Sequence, residues 1–233
     1  MIMRTCLIGA LVPALLGGPA MAEALIWGVQ VEQLEQRFGE DGDVTAWSLD
    51  AVIGTDELKL RFASSGEYMD GAGLESFENQ LLLQVPISDF FAAKAGIRYD
   101  APRGPDRAYA TIGVQGLTKQ WFEVDLDLFV SENGDASIRL DADYEALITN
   151  RIILTPSLEV DLPFSDDREI GIGAWGPTVE IGARLSYDLV DRSFSPYVGV
   201  HYERAFGATA DLRKDEGEAT DALFIVVGAR MMF

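Results

Sequence analysis

Histidine and cysteine are nearly missing from this sequence: His201 and Cys6 are the single examples in 233 residues. A Ser-His-carboxylate hydrolase would have only His201 as its base. One cysteine allows neither an internal disulfide nor a cysteine-rich metal cluster. No run of eighteen apolar residues follows Ala22, so no transmembrane helix is expected. There is no glycine-rich phosphate loop and no His-x-x-x-His pair. Bases are scarce too, with 18 Lys and Arg against 38 Asp and Glu. Such an acidic balance disfavours nucleic acid as a partner, and none is expected. It suits a cation-facing surface or lumen, or simply high solubility.

The first 22 residues read as an export signal. Arg4 is followed by an apolar run from Cys6 to Leu16 and then by Ala20-Met21-Ala22, an A-x-A cleavage site. Residues 1–22 are therefore expected to be a cleaved signal peptide and residues 23–233 one barrel domain. Cys6 precedes the apolar run, so it is not a lipoprotein anchor. An exported chain without a disulfide must hold together by other means, and a closed strand ladder does so.

What the remainder has in abundance is alternation. From Phe233 backwards, Met231, Ala229, Val227, Ile225 and Leu223 form an unbroken apolar row. The intervening row carries Arg230 and Gly228. A last strand ending on an aromatic, with one face in lipid and one in a lumen, has this pattern. About twelve such stretches follow one another. Phe122, Val124, Leu126, Leu128 and Val130 alternate with Glu123, Asp125 and Asp127; Ala136, Ile138, Leu140 and Ala142 alternate with Arg139, Asp141 and Asp143. Charges at every second position exclude a helix, whose period is 3.6. The stretches are mostly long enough to cross a bilayer as tilted strands. Short connections, such as Gly54 to Asp56 and Pro86 to Ser88, alternate with longer polar ones at Gly66 to Gly73, Pro163 to Gly176 and Gly207 to Asp221. The expected fold is an all-β, antiparallel, up-and-down transmembrane barrel of about twelve strands with both termini periplasmic. A periplasmic β-sandwich is the other architecture that alternates.

The inward carboxylates are the most informative chemical feature. A five-residue hairpin around Gly134 would set Asp125 opposite Asp141 and Glu123 opposite Asp143. Like charges directly opposite destabilise a sheet. Relief comes from a bound cation, a shared proton, or bases reaching over from Lys59, Arg61, Lys94, Arg98 or Arg139. Two readings stay open: an ion-pair network that fills the barrel, and a cation-binding lumen.

Several segments resemble the copper resistance protein B family of bacterial outer membranes. They are Leu25-Ile-Trp-Gly-Val-Gln-Val-Glu-Gln-Leu-Glu, Gly96-Ile-Arg-Tyr-Asp with Gly104-Pro-Asp-Arg, Gly113-Val-Gln-Gly-Leu, Trp121-Phe-Glu-Val-Asp, Phe129-Val-Ser-Glu-Asn-Gly-Asp and Pro196-Tyr-Val-Gly-Val-His-Tyr-Glu-Arg-Ala-Phe-Gly. The resemblance runs through the mature chain in one register. It implies an outer-membrane barrel of a copper-tolerance system, non-enzymatic, with copper ions as ligand or cargo. Its implied partners are the outer-membrane bilayer, copper ions and a periplasmic copper-binding protein. Family members often carry a Met- and His-rich segment ahead of the barrel, whereas here Leu25 already belongs to the first strand and only Met69, Met231 and Met232 follow the signal.

If copper binds the barrel, the expected ligands are His201, with Glu203 and Tyr197 in the same inward row, and Glu32 on the first strand as a third partner. The fallback set is Glu123, Asp125, Asp141 and Asp143. The competing functions are a structural barrel or small-solute pore without metal specificity and, more remotely, an outer-membrane lipid hydrolase.

Overall fold

The computed structural model describes residues 24–40, 42–101, 104–190 and 192–233. The expected signal peptide lies outside these residues. The strands are β1 Ile26–Phe38, β2 Asp43–Gly54, β3 Lys59–Met69, β4 Gly73–Pro86, β5 Phe91–Asp100, β6 Arg107–Leu117 and β7 Phe122–Ser131. There follow β8 Ala136–Tyr144, β9 Ala146–Leu147, β10 Ile152–Pro163, β11 Thr178–Tyr187, β12 Phe194–Ala205 and β13 Asp221–Met232. Each pairs antiparallel with its neighbours, and β13 pairs with β1 to close the sheet. The short β9 continues the line of β8 along β10, so the barrel has twelve staves. Closure leaves no open edge, which is what a strand protein in lipid requires. Among the described residues no helix is long and apolar enough to cross a membrane.

The alternation sorts the side chains. Ile97, Ile112, Val198, Leu223 and Ile225 point outward and are more than half exposed. Aromatic side chains gather at the two rims: Trp27, Phe90, Trp121, Tyr187 and Phe233 near the short turns, and Phe38, Tyr68, Tyr99 and Trp175 at the other end. Two aromatic girdles flanking an apolar band are the mark of a barrel in a bilayer. Most of the buried side chains are polar or charged, including Glu35, Arg37, Lys94, Arg98, Asp127, Arg184 and His201. The interior is polar and the outer wall apolar, the reverse of a soluble sandwich.

Three local features differ from the sequence expectation. The first strand does not keep one phase. Val31 pairs with Leu49 but Gln33 with Ser48, leaving Glu32 as an extra residue, a β-bulge. Beyond it the inward positions are Glu35 and Arg37, and Leu34 and Phe38 turn outward. The stretch Gly66 to Gly73 is not a long loop. Residues up to Met69 pair within β3, Ala72 N–H closes on Met69 C=O, and the turn is tight. Trp47 fills the place where a Gly66 side chain would stand. The connection 206–220 holds a helix, α1 Gly207–Glu216, ended by Gly217 in the left-handed conformation.

One outer connection folds over its neighbours. Residues 164–177 contain a single 3-10 turn, Arg168–Ile170. Arg107 Nε and Nη2 donate to Asp167 at 2.7 and 3.0 Å, and Nη2 donates to Glu169 at 2.7 Å. Thr209 of α1 accepts from Gly173 N–H and donates to Gly176 C=O. The segment is thereby tied to β6 on one side and to α1 on the other.

Candidate functional site

The bulge in β1 creates the first inward cluster. Glu35 accepts from Arg184 Nε and Nη2 at 2.8 Å each, from Arg37 Nε at 2.7 Å and from the Tyr197 hydroxyl at 2.8 Å. Arg37 also pairs with Glu67, and its Nη1 lies 3.3 Å from His201 Nε2. The same Nε2 is 3.4 Å from Glu180, and the imidazole tilts against the Phe224 ring. His201 is therefore buried within a charge network, on the inward row where the sequence places it.

A second cluster crosses the lumen. Arg139 on β8 donates to Glu78 on β4 at 3.0 Å and to Asp161 at 3.0 Å, and lies 3.2 Å from Glu159. Arg98 joins Glu78 at 2.8 Å and Asp100 at 2.6 Å. Both guanidiniums stack against Phe129, at 4.4 and 5.5 Å from the ring centre. In the third cluster Lys94 donates to Asp125 at 2.6 Å and to Asp127 at 2.7 Å, and Arg61 pairs with Asp50 and donates to Gln115. Links between β4 and β8, and between β3 and β6, are chords across the barrel. They fill the lumen with side chains.

Register then produces a feature that no single strand displays. Asp125 pairs with Asp141, Asp141 with Glu159, Glu159 with Glu180, and Glu180 with Glu203. Five carboxylates stand on five successive staves in one cross-strand row. Such a row is repulsive unless cations attend it. Lys94 attends Asp125, Arg139 attends Glu159, and Arg213 of α1 lies 3.5 Å from Glu203. The next row holds Glu123, Asp143, Ser157, Gly182 and His201.

The expected ligands are divided between two places. His201 and Glu203 share a face, and Glu180 rather than Glu203 is the carboxylate nearest the imidazole. Tyr197 is buried on the same row but gives its hydroxyl to Glu35. Glu32 is not near His201. It stands beside Arg230 on β13, whereas His201 pairs with Phe224, six residues further along that strand and so roughly 20 Å away. The bulge keeps Glu32 in the half of the barrel near the chain ends, within electrostatic range of Asp50, Glu123 and Asp143. The fallback pairs form as expected, Asp125 with Asp141 and Glu123 with Asp143. Among the described residues no group of three His, Cys, Asp or Glu is close enough to hold a metal ion.

Glu35, Arg37, Glu67 and Glu180 belong to the centre and were not among the expected ligands. The signal for the first two is in the sequence. The apolar spacing Val29, Val31, Leu34 changes from two to three at Glu32-Gln33, which marks a bulge. Glu180 becomes visible only when the strands are placed in register.

Residues 25–233 match the family described as copper resistance protein B precursor. The chain is 36% identical to copper resistance protein B of Escherichia coli over 210 residues, covering 90% of this chain and 70% of the relative. It is 35% identical to a copper resistance protein B homolog of Pseudomonas syringae pv. tomato, covering 87% and 68%. Among solved structures it is similar in fold to the NanC porin, with a TM-score of 0.57 at 10% identity over 87% of this chain and 98% of that one. The KdgM porin gives a TM-score of 0.52 at 12% identity over 88% and 99%. At such identities the porins bear on the fold alone. The match over nearly all of the barrel places this chain in the copper resistance protein B family.

Proposed function

We propose that the protein serves copper resistance at the outer membrane, without catalysis, by holding or passing copper ions on its acid-lined interior beside His201. The reading rests on family membership, and one observation supports His201 as its centre. The row of five carboxylates ends next to the only imidazole in the chain. Imidazole with carboxylate oxygens is a donor set that Cu(II) accepts readily. Arg37 Nη1, held by its pairs with Glu35 and Glu67, faces His201 Nε2 at 3.3 Å, so a copper ion can reach that nitrogen only when Arg37 draws away from it. Glu180 and Glu203 are the carboxylates then at hand. The charged side chains that cross the lumen disfavour a general diffusion pore. Export through the signal peptide, and delivery by a periplasmic copper-binding protein, complete the proposal.

The test is a Cu(II) titration of the refolded barrel, wild type against His201→Ala. The expected result is at least a tenfold loss of affinity with heat-modifiable gel migration preserved. Unchanged affinity in a folded variant moves any site to Glu123, Asp125, Asp141 and Asp143. A deletion strain with normal copper tolerance overturns the biological role itself.

A further inference from the structure

Lys94 is buried at 4% exposure, and its ammonium makes two short contacts, to Asp125 Oδ2 and Asp127 Oδ2. Each carboxylate leaves its other oxygen idle. Asp125 Oδ1 and Asp127 Oδ1 are buried and have no hydrogen-bond partner. Asp127 is only 3% exposed, so its free oxygen is a costly group to leave unpaired.

The local backbone explains how the three groups meet. Lys94, Gly113 and Asp127 lie in one cross-strand row on β5, β6 and β7. A side chain at position 113 would collide with the Asp127 carboxyl and with Leu126 C=O. The missing side chain opens a lane across β6 along which Lys94 reaches. Asp127 Oδ1 faces that lane. Gln84, the other cross-strand neighbour of Lys94, offers its stem a second place to lie.

The charges do not balance. Two carboxylates share one ammonium. Arg61 stands 3.7 Å from Asp125, but its short contacts go to Asp50 and Gln115. Arg139, opposite Asp127 on β8, is taken up by Glu78, Glu159 and Asp161. A divalent ion at the position of the ammonium would match both carboxylates and use the idle oxygens. Two carboxylates completed by water are a usual environment for a small hard cation.

We propose that Asp125 and Asp127 form a binding site for a divalent, oxygen-seeking cation, and that Lys94 is a tethered cation that fills the site and is displaced when the ion binds. The site has two protein carboxylates rather than three, and it shares Asp125 with the carboxylate row of the copper reading but does not involve His201.

Manganese(II) is the probe, titrated against the refolded full barrel and followed by the loss of its free-ion paramagnetic resonance signal. Wild type is expected to bind saturably. Asp127→Asn should weaken binding at least tenfold, and Lys94→Met, which removes the competitor, should tighten it at least tenfold. Adding Asp127→Asn to Lys94→Met should abolish that gain. His201→Ala should leave manganese binding unchanged, so this idea and the copper reading fail separately. Lys94→Gln replaces Lys94→Met if the apolar variant does not give a heat-modifiable band. The proposal is overturned if folded Asp127→Asn binds as wild type does, if removing the ammonium brings no gain, or if wild type shows no saturable binding at millimolar manganese.

Discussion

Arg184 grips Glu35 at two points, Nε to Oε2 and Nη2 to Oε1, each at 2.8 Å, although β12 and β13 separate their strands. Glu35 is 2% exposed and Arg184 6%. An ion pair this deep is expensive to half-remove, because the surviving charge stays buried. Glu35→Ala should therefore destabilise the barrel by about 3–5 kcal/mol. Arg184→Ala should do the same, and the double variant should lose less than the sum. Urea titration of detergent-folded protein, followed by tryptophan emission, reads all three. A change below about 0.5 kcal/mol in Glu35→Ala would contradict the buried pair.

The loop 164–177 offers a second test. Its anchor is Arg107, bonded to Asp167 and Glu169. The two charge-assisted bonds from Arg107 to Asp167 hold the loop against β6. Arg107→Ala should free the loop and speed tryptic cleavage after Arg168 by roughly tenfold or more. The barrel itself should stay folded. Equal cleavage rates would show that Thr209 and α1 hold the loop without Arg107.

The two faces of β6 should respond in opposite ways. Ile112 is 60% exposed on the outer wall, at the middle of its strand. Ile112→Arg places a charge in lipid and should cost about 2–4 kcal/mol. Thr111, one residue away, is buried with an idle hydroxyl. Thr111→Val keeps the shape and removes the unpaired group, so its effect should be about 0.5 kcal/mol or less, or stabilising. Refolding yield in vesicles together with urea titration separates them. A harmless Ile112→Arg would argue for water, not lipid, at the outer wall.

Gly113→Ala probes the lane beneath Lys94. The new methyl would stand 2.6 Å from Leu126 C=O and overlap the Asp127 carboxyl. Overpacking of this kind costs about 1–3 kcal/mol. The same change at Gly116, where backbone also crowds the position, should be comparable in stability yet leave Lys94 in place. Manganese titration beside the stability measurement distinguishes loss of the lane from general strain.

The barrel was legible because the side-chain period is two and every strand repeats it. Asp125 facing Asp141, and Glu123 facing Asp143, followed from the length of one hairpin. The features that escaped depend on information that no local window holds. The pairing of Glu159, Glu180 and Glu203 into one row depends on the register of three strands, the first two of them joined by the long connection 164–177. The helix α1 has weak amphipathicity and is fixed by Thr209 docking on the 164–177 loop, a tertiary contact. The run Ser64-Ser65-Gly66 has the composition of a turn but is held straight by its partners in β2 and β4. Glu32 went astray because apolar residues on both sides of it still alternate, each in a different phase.

That bulge makes β1 behave like a sentence with one inserted letter. Upstream of Glu32 the odd-numbered residues meet lipid; downstream the even-numbered ones do. Single-residue deletion at Gln33 would remove the extra residue and leave one uniform alternation, with Val31, Leu34 and Phe38 still outward and Glu35 and Arg37 still inside. Deleting Glu32 and Gln33 together would reverse the parity and turn Glu35 and Arg37 into the hydrocarbon. Loss of one residue at the bulge is thus the length change this strand can absorb, and loss of two there is the variation that lineages carrying this barrel should avoid.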